Sequence, residues 1–518
     1  MNHEYSAVAS AVAAEAPSKS VGGSSRNWPA YIFAASLLAF LALALANSLA
    51  RAPWWDEGLF SDVALNFRRF GHFGNTLLAP NGYIPLPGVH QYTYWQMPLY
   101  LVGLGTWLHL VPFNILDVRL FSLLWGVVYI GAWYAFVRGL GQTRAFALFV
   151  AAMIALDYSV IAASSNGRME MMCAALGQLA LAAYVCLRDK NWPLALIVAS
   201  WFGAAAFFTH PMGAIPNGFL AVLILLDWSR IRWWAFFAAA VPFLLGIGAC
   251  ALYASHNPAL YRAQSFANSS YRISTVKQIF HHLVFDFEQR YLGFYLINQY
   301  GVNKLKIFGL LFGLAGVVAL LLNRRLRALT VSRVFLILAG ASYIFLAILD
   351  NQTFPIYFVY SLPFLTACGA TWVFFERPGS RARKLAYVFL AGSLFTTIAG
   401  FGDKLYRNEN RLYYRPVVNA IVQNASPGAT IMGGSQLGFA LGFDNSRYKI
   451  IDDRFVGYFS GIKPELYVWD PFYVVVTTPD RHLAWNVSRQ TLKDHYHVVY
   501  KSDAYQVYKL NNPAEATK

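Results

Sequence analysis

Charge is scarce in this sequence. Asp, Glu, Lys and Arg make up 13% of 518 residues, while 57% are hydrophobic and 17% aromatic, with a mean hydropathy of +0.42. So little polar surface cannot cover a soluble globule of this length, and the composition implies a polytopic membrane protein. Cysteine is rare as well. Cys173, Cys186, Cys250 and Cys368 all fall inside apolar runs without metal-ligand spacing, which argues against disulfides and thiolate zinc sites. There is no Gly-rich phosphate loop and no pair of nucleotide-sugar acids on a soluble strand. Residues 1–28 are rich in Ala and Ser, lack the basic start and short apolar core of a signal peptide, and read as a flexible cytosolic tail.

What is present is a series of apolar runs. A span needs roughly 20 apolar residues, and 29–50 supplies them without a charge. The run 98–111 is shorter, in the range of about 10 to 14 residues typical of interfacial pieces, and is expected to stay on the outer side. Further spans are expected at 117–137, 145–163, 171–187, 193–209, 212–227, 233–254, 305–322, 334–349, 355–375 and 385–401. That makes about eleven.

The formal charge of +16 would suggest nucleic acid only if the basic residues clustered on a soluble face. They lie instead in short runs between spans: Arg138–Arg144, Arg188–Lys190, Arg230–Arg232, Arg324–Arg327 and Arg377–Lys384. Alternating the spans from a cytosolic N-terminus puts all of these on one face, as the positive-inside rule requires. Counting 98–111 as a span would turn them outward.

The expected organisation is an all-α polytopic bundle over 29–402, with outer loops 51–116 and 255–303, and a small extracytoplasmic α/β domain over 403–518. The tail changes character: its runs 429–432, 448–451, 472–478, 496–500 and 505–510 are short, β-branched or aromatic, and bounded by turn residues. Helices are expected at 411–424 and 481–494. Within 276–295, Ile279, Phe280, Leu283, Phe287, Tyr291 and Phe294 recur at helical spacing, which suits either a helix lying in the interface or one packed on the bundle. Gly309, Gly313 and Gly316 have helix-packing spacing.

Chemistry is expected at the outer helix ends. The spans are nearly free of charge, which argues against an ion-coupled transporter. Asp157 is the exception; it is either satisfied by a neighbouring Ser or Tyr or functional in a cavity. Directly after the first span comes Trp54-Trp55-Asp56-Glu57-Gly58. On spacing alone this acid pair reads as an ordinary solvated loop. Its aromatic flanks, and the helical recurrence of Trp55, Leu59, Val63, Phe67 and Phe70, place it instead on an interfacial helix in reduced polarity.

The Asp-Glu pair, followed by Pro98-Leu99-Tyr100 and then by Asp117-Val118-Arg119-Leu120-Phe121-Ser122, resembles the C-type (GT-C fold) glycosyltransferases of the protein O-mannosyltransferase and aminoarabinose transferase superfamily, and within it the bacterial Rgt-type branch. The motifs cover roughly residues 30 to 220, and hydropathy alone continues the likeness to about 400. The resemblance implies transfer of a sugar from a polyprenyl-phosphate donor at the periplasmic face of a bacterial inner membrane, by inverting single displacement, onto an envelope acceptor. It implies Asp56 as the base that takes the acceptor's proton and Glu57 as the group that orients Asp56 or the sugar.

A second acidic site, usually Arg-x-Asp, reads Arg168-Met169-Glu170 here, with Arg168 as a phosphate clamp. Where a Lys often closes the fifth helix this chain has His210, which neutralises phosphate only when protonated. His210 as a plain helix end and Arg119 as an interfacial anchor remain open readings beside a phosphate role. His281, His282 and Arg290, with Arg262, Arg272 and Lys277, line either a lipid-phosphate entrance or a basic surface facing anionic headgroups. Some relatives use a divalent metal; Asp56, Glu57, Glu170 and a loop His are the candidates, and no spacing fixes a ligand set. The competing classes are a flippase for a lipid-linked glycan and a noncatalytic envelope-assembly protein.

Overall fold

The structure is a computed structural model and describes residues 28–78, 86–269, 276–297, 301–350, 353–452, 463–469 and 491–512, with 514 and 516. Eight of its helices are long and apolar enough to cross a membrane. They include α1 (Trp28–Ala50), α4 (Ile115–Gly139), α7 (Met169–Leu187), α8 (Trp192–Thr209), α10 (Ala235–Ala254), α14 (Thr330–Leu349) and α16 (Arg381–Arg407). The remaining one, Asn303–Leu322, contains α13 (Ile307–Leu322). A bent pair, α5 (Arg144–Ala155) and α6 (Tyr158–Ser164), and two shorter apolar helices, α9 (Ala214–Leu226) and α15 (Leu362–Phe375), complete the set. Every segment expected to span is among them, and the chain is a multi-pass membrane protein.

Two segments depart from unbroken helices. The span expected at 145–163 bends by 62° between α5 and α6. Asp157 causes the break: its Oδ1 accepts the Ser159 N–H at 2.8 Å and so caps a new helix instead of continuing the old one. The span expected at 355–375 begins as a tight turn, Pro355–Tyr360, and becomes α15 only at Leu362, next to Pro363. The short run is α3 (Pro98–Leu110), whose 13 residues reach about 20 Å, well under the roughly 30 Å of a hydrocarbon core.

Side-chain contacts sort the loops as the charge pattern does. Arg188 pairs with Asp227 and Arg230 with Asp189, while Asn323 and Arg383 both donate to Glu376. Two pairs of basic turns therefore sit side by side, 188–189 with 227–230 and 323 with 376–383. At the opposite helix ends, the turn after α1 meets the turn before α7 and the start of α4. Gly313 lies against Leu365, and Gly316 touches the Gly369 backbone, so these two glycines let α13 and α15 approach closely. α12 (Val276–Asp286) continues as a wider helical turn, Phe287–Ile297. Both readings of this segment apply: Tyr291 and Tyr295 pack on Leu310, Phe358 and Leu362, while Phe280 and Val284 are exposed.

The C-terminal domain is α17 (Arg415–Asn424) against a five-stranded sheet in the order β2-β1-β3-β5-β4. The strands are β1 (Thr430–Gly433), β2 (Lys449–Asp452), β3 (Leu466–Trp469), β4 (Tyr496–Lys501) and β5 (Gln506–Leu510). β1 runs parallel to β2 and β3, and β5 antiparallel to β3 and β4. The strand expected at 472–478 and the helix expected over 481–490 lie outside the described residues; β3 was not expected.

This sheet does not stand apart from the bundle. Leu65 and Leu77 belong to the same buried cluster as Ile431, Ile450, Leu466 and Val507. Leu65 is on α2 (Trp55–Phe70), the helix that begins with the acid pair. Leu78 bridges to Asp452, and a Cβ on Gly58 would lie 2.4 Å from the Ser435 carbonyl carbon. Gly58 is needed for this approach, since its neighbour is backbone that cannot step aside. Gly58→Ala is expected to cost about 1–3 kcal/mol, seen as a lower melting midpoint and as earlier proteolytic release of the C-terminal domain.

Candidate active site

The two adjacent acids have separate surroundings because successive residues at a helix start point about 100° apart. Glu57 turns inward. Its Oε1 accepts Arg119 Nε at 2.8 Å and Gly167 N–H at 2.7 Å, and its Oε2 accepts Arg119 Nη2 at 2.6 Å and Trp54 N–H at 2.7 Å. Both side chains of the Glu57–Arg119 pair are 0% exposed. Arg119 also donates to the carbonyls of Ser48, Arg51 and Ala52 at 2.5, 3.0 and 3.1 Å. Burial opposes ionisation of Glu57, but Arg119, Arg51 and the Gly167 N–H outweigh it and hold the carboxyl below its ordinary range. One ion pair thus ties together the end of α1, the start of α2, α4 and the turn before α7.

Asp56 turns the other way and pairs with Arg168 Nη1. The two acids therefore clamp two successive residues, Gly167 and Arg168. Arg168 is held from the far side by Glu170, whose Oε1 accepts Nη2 at 2.6 Å and Nε at 3.1 Å. The guanidinium also stacks over Trp54, 4.9 Å from the ring centroid, and over Phe60 at 5.9 Å. Asp56 and Arg168 keep 14% and 10% of their side chains exposed, against 1% for Glu170. An incoming molecule reaches Asp56 and Arg168 first.

The other expected residues lie elsewhere or have other occupations. His210 is buried and caps the turn after α8, its Nδ1 accepting the Met212 N–H at 3.0 Å; its ring is 5.7 Å from that of Tyr357. Asp157 is satisfied by hydroxyls, accepting Ser159 Oγ at 2.5 Å and Thr366 Oγ1 at 2.6 Å, which is the structural reading of this residue. Arg290 does not line an entrance: it is fully buried between Asp286 and Asp350, with Nε and Nη1 at 2.9 and 2.6 Å from their carboxylates. His282 is buried nearby, whereas His281 is packed on Phe285 and contacts Gln289. Arg262 and Lys277 are exposed, and Arg272 lies outside the described residues.

Among the described residues no group of three or more His, Cys, Asp or Glu is placed to hold a metal ion. The candidate donors are turned to cations of the chain itself: Glu57 to Arg119, and Asp56 and Glu170 to Arg168. This donor set does not fit a metal without first displacing a guanidinium.

Asp62, one turn further along α2, was not singled out from the sequence because its partners lie 14 residues away. It accepts the Thr76 N–H at 2.6 Å and Asn66 Nδ2 at 3.2 Å, and lies 2.9 Å from Thr76 Oγ1. Thr76 Oγ1 is also 2.9 Å from the Phe443 carbonyl. One hydroxyl hydrogen cannot serve both acceptors, but a protonated Asp62 donating to Thr76 frees that hydrogen for Phe443. Burial pushes the Asp62 carboxyl up to about 7 despite the bonds from Thr76.

Because that value lies above the unfolded one of about 3.9, its contribution to stability is complete at low pH and is lost as pH rises through 7. The melting midpoint is expected to fall between about pH 4 and pH 7, most steeply at about pH 5–6 with a slope of up to about 1.4 kcal/mol per pH unit, and to level off above pH 7. Asp62→Asn should remove this slope.

No family model matches the chain, and no curated protein sequence does. Solved structures do. ArnT from Cupriavidus metallidurans bound to undecaprenyl phosphate superposes with a TM-score of 0.58 at 15% identity, covering 96% of this chain and 100% of that one. The same protein in its apo state gives 0.56. AglB, the oligosaccharyltransferase from Archaeoglobus fulgidus, gives 0.54 at 12% identity over 94% of this chain and 74% of its own. The chain has the GT-C fold. In this GT-C chain the acid pair lies where α1 ends, held against α4 and α7, with the C-terminal domain seated on the helix that carries it.

Proposed function

We propose that the protein is a glycosyltransferase that moves a sugar from a polyprenyl-phosphate donor to a hydroxyl or phosphate of an envelope acceptor. The observation that carries this reading is the Asp56–Arg168 pair, partly open within a charge network that is otherwise buried among the described residues. Arg168 suits a donor phosphate, since a guanidinium matches its oxygens two at a time. A phosphate there competes with Asp56 for Nη1. Asp56 then takes the acceptor's proton as the acceptor oxygen forms its bond to the anomeric carbon. The bond from that carbon to the phosphate oxygen breaks on the opposite side, the configuration inverts, and polyprenyl phosphate leaves with its charge facing Arg168. Glu57 acts by holding the start of α2 and the Gly167 turn, so it is a positioning residue.

In this reading the basic turns face the cytosol, and Asp56 and the C-terminal domain face the periplasm of a bacterial inner membrane. Support comes from the GT-C fold, from the undecaprenyl phosphate bound to the ArnT structure it resembles, and from the charge pattern. The test is to incubate the purified protein with a panel of polyprenyl-phosphate sugars and envelope acceptors while following polyprenyl phosphate release. Release with one donor supports the reading and names the sugar. No release with any pair, together with movement of a lipid-linked glycan across reconstituted vesicles, would replace it with the flippase.

A further inference from the structure

The basic turns at the helix ends remote from Asp56 are not equally balanced. In one pair of turns Arg188 is matched by Asp227, and Arg230 by Asp189. The other pair joins the short helical turn Arg324–Ala328, which follows α13, to the turn that leads into α16. Arg324, Arg325, Arg327 and Arg333 lie on the first side of this junction. Arg377, Arg381, Arg383 and Lys384 lie on the second. Among the described residues none of these cations takes part in an ion pair.

Glu376 is the one acid within 323–333 and 376–384, and it is already occupied. It is buried, and its carboxylate accepts from Asn323 Nδ2 at 3.4 Å, from the Arg377 N–H at 3.1 Å and from Ser380 Oγ at 3.5 Å. Arg383 turns to the Glu376 carbonyl and the Tyr387 hydroxyl, at 3.2 and 3.0 Å, and Arg333 Nε reaches the Arg327 carbonyl at 3.3 Å. Every cation of the group except Arg383 is exposed. Uncompensated charge of one sign gathered in this way raises the local potential and draws in anions.

The surface beside these cations is apolar. Leu321 and Leu322, in the last turn of α13, are 47% and 79% exposed, and Leu385 and Val388, in the first turns of α16, are 50% and 67% exposed. The two helices are antiparallel neighbours, with Gly309 near Ser393 and Gly400 near Lys306, so these side chains come from adjoining helix ends. The other end of α16 lies by the acid pair, where Asn410 Nδ2 donates to the Leu49 carbonyl at 3.1 Å. The 27 residues of α16 put about 40 Å between the two places. Exposed cations at a helix end with exposed aliphatic side chains next to them match an amphiphile with an anionic head.

We propose that these two turns bind an anionic glycerophospholipid of the bilayer, its phosphate among Arg324, Arg325, Arg381 and Lys384 and its acyl chains along Leu322, Leu385 and Val388. The site stands on its own geometry and does not depend on the transferase reading. Orientation by the positive-inside rule needs only basic content on one face, whereas a binding site needs these particular cations.

The test places the full-length protein in phosphatidylcholine nanodiscs doped with phosphatidylglycerol or cardiolipin and follows the lipids it retains by native mass spectrometry. At least one of the two anionic lipids should be retained saturably and in preference to phosphatidylcholine. Arg381→Gln with Lys384→Gln should weaken that retention by about tenfold or more, given the contribution of each cation near an anionic lipid. Arg324→Gln with Arg325→Gln should do the same, and carries the test if the first pair of substitutions prevents folding. Lys190→Gln with Arg232→Gln removes equal charge from exposed positions in the other two turns and should leave retention as in wild type. Equal weakening by this last pair would reduce the effect to overall charge and overturn the site. Retention unchanged in the folded Arg381/Lys384 and Arg324/Arg325 variants, or no preference over phosphatidylcholine, would overturn it too. Binding of a poly-glutamate peptide in place of lipid would assign the turns to an acidic protein segment instead.

Discussion

Asp56→Asn is expected to lower transfer by about a thousandfold, within the range of roughly 10²–10⁴ for losing a positioned general base, while the protein stays folded. The substitution keeps the side chain's shape and leaves an amide oxygen to accept from Arg168, but it removes the charge that takes the acceptor's proton. It does not touch the Glu57–Arg119 pair, which holds the helix start. Polyprenyl phosphate release and the melting midpoint, measured on the same preparation, separate chemistry from folding. Turnover equal to wild type would take Asp56 out of the mechanism. A noncatalytic envelope-assembly protein makes the opposite pair of expectations: Asp56→Asn is harmless and deletion of 403–518 abolishes function. Deletion would also strip Leu65, Leu77 and Gly58 of their packing, so only the point variant discriminates.

The helices were legible because hydropathy and the placement of Lys and Arg act over a whole span and are not easily overridden. Asp56, Glu57, Arg119 and Arg168 were legible through their order along the chain, which the structure converts into contacts over 62 and 112 residues of sequence. Which way each acid turns was not legible. Nothing in Asp-Glu says which member turns inward; that is settled by the helix phase at Trp55 and by the presence of Arg119 in a facing helix. The break at Asp157 was missed because a capping Asp in an apolar run reads the same as a buried functional one until Ser159 and Thr366 are in place. The seating of the C-terminal domain on α2 was also invisible, since nothing local to Gly58 points to its neighbour, Ser435, far along the chain. Lys306 and Arg290 look alike as isolated cations at segment ends. Only packing shows that Arg290 is neutralised by Asp286 and Asp350, while Lys306 lies over the Tyr158 ring within electrostatic reach of Asp403.

The largest loss of stability is expected at the Glu57–Arg119 pair. Glu57→Leu leaves a guanidinium fully buried without its carboxylate, and such a change costs about 3–5 kcal/mol. Arg119→Leu should cost as much, because it strands Glu57 and also three carbonyls, of Ser48, Arg51 and Ala52. In many proteins replacing both members of a buried pair by apolar residues restores stability. Here the double variant should recover only part of it. The pair is the hydrogen-bonding partner of five backbone groups, the three carbonyls and the N–H groups of Trp54 and Gly167, and leucines satisfy none of them. The pH dependence gives an independent check. With its pKa held below the ordinary value, Glu57 contributes stability that is present above about pH 4.3 and is lost as pH falls toward the folded value. Glu57→Gln should weaken that acid limb while leaving the decline between about pH 4 and pH 7 that belongs to Asp62. Melting midpoints of wild type, Glu57→Gln, the two leucine single variants and the double, from about pH 2 to about pH 8, would show it. Full recovery in the double variant would mean that the backbone groups find water or other partners, and that the pair is not what holds Gly167, and with it Arg168, beside Asp56.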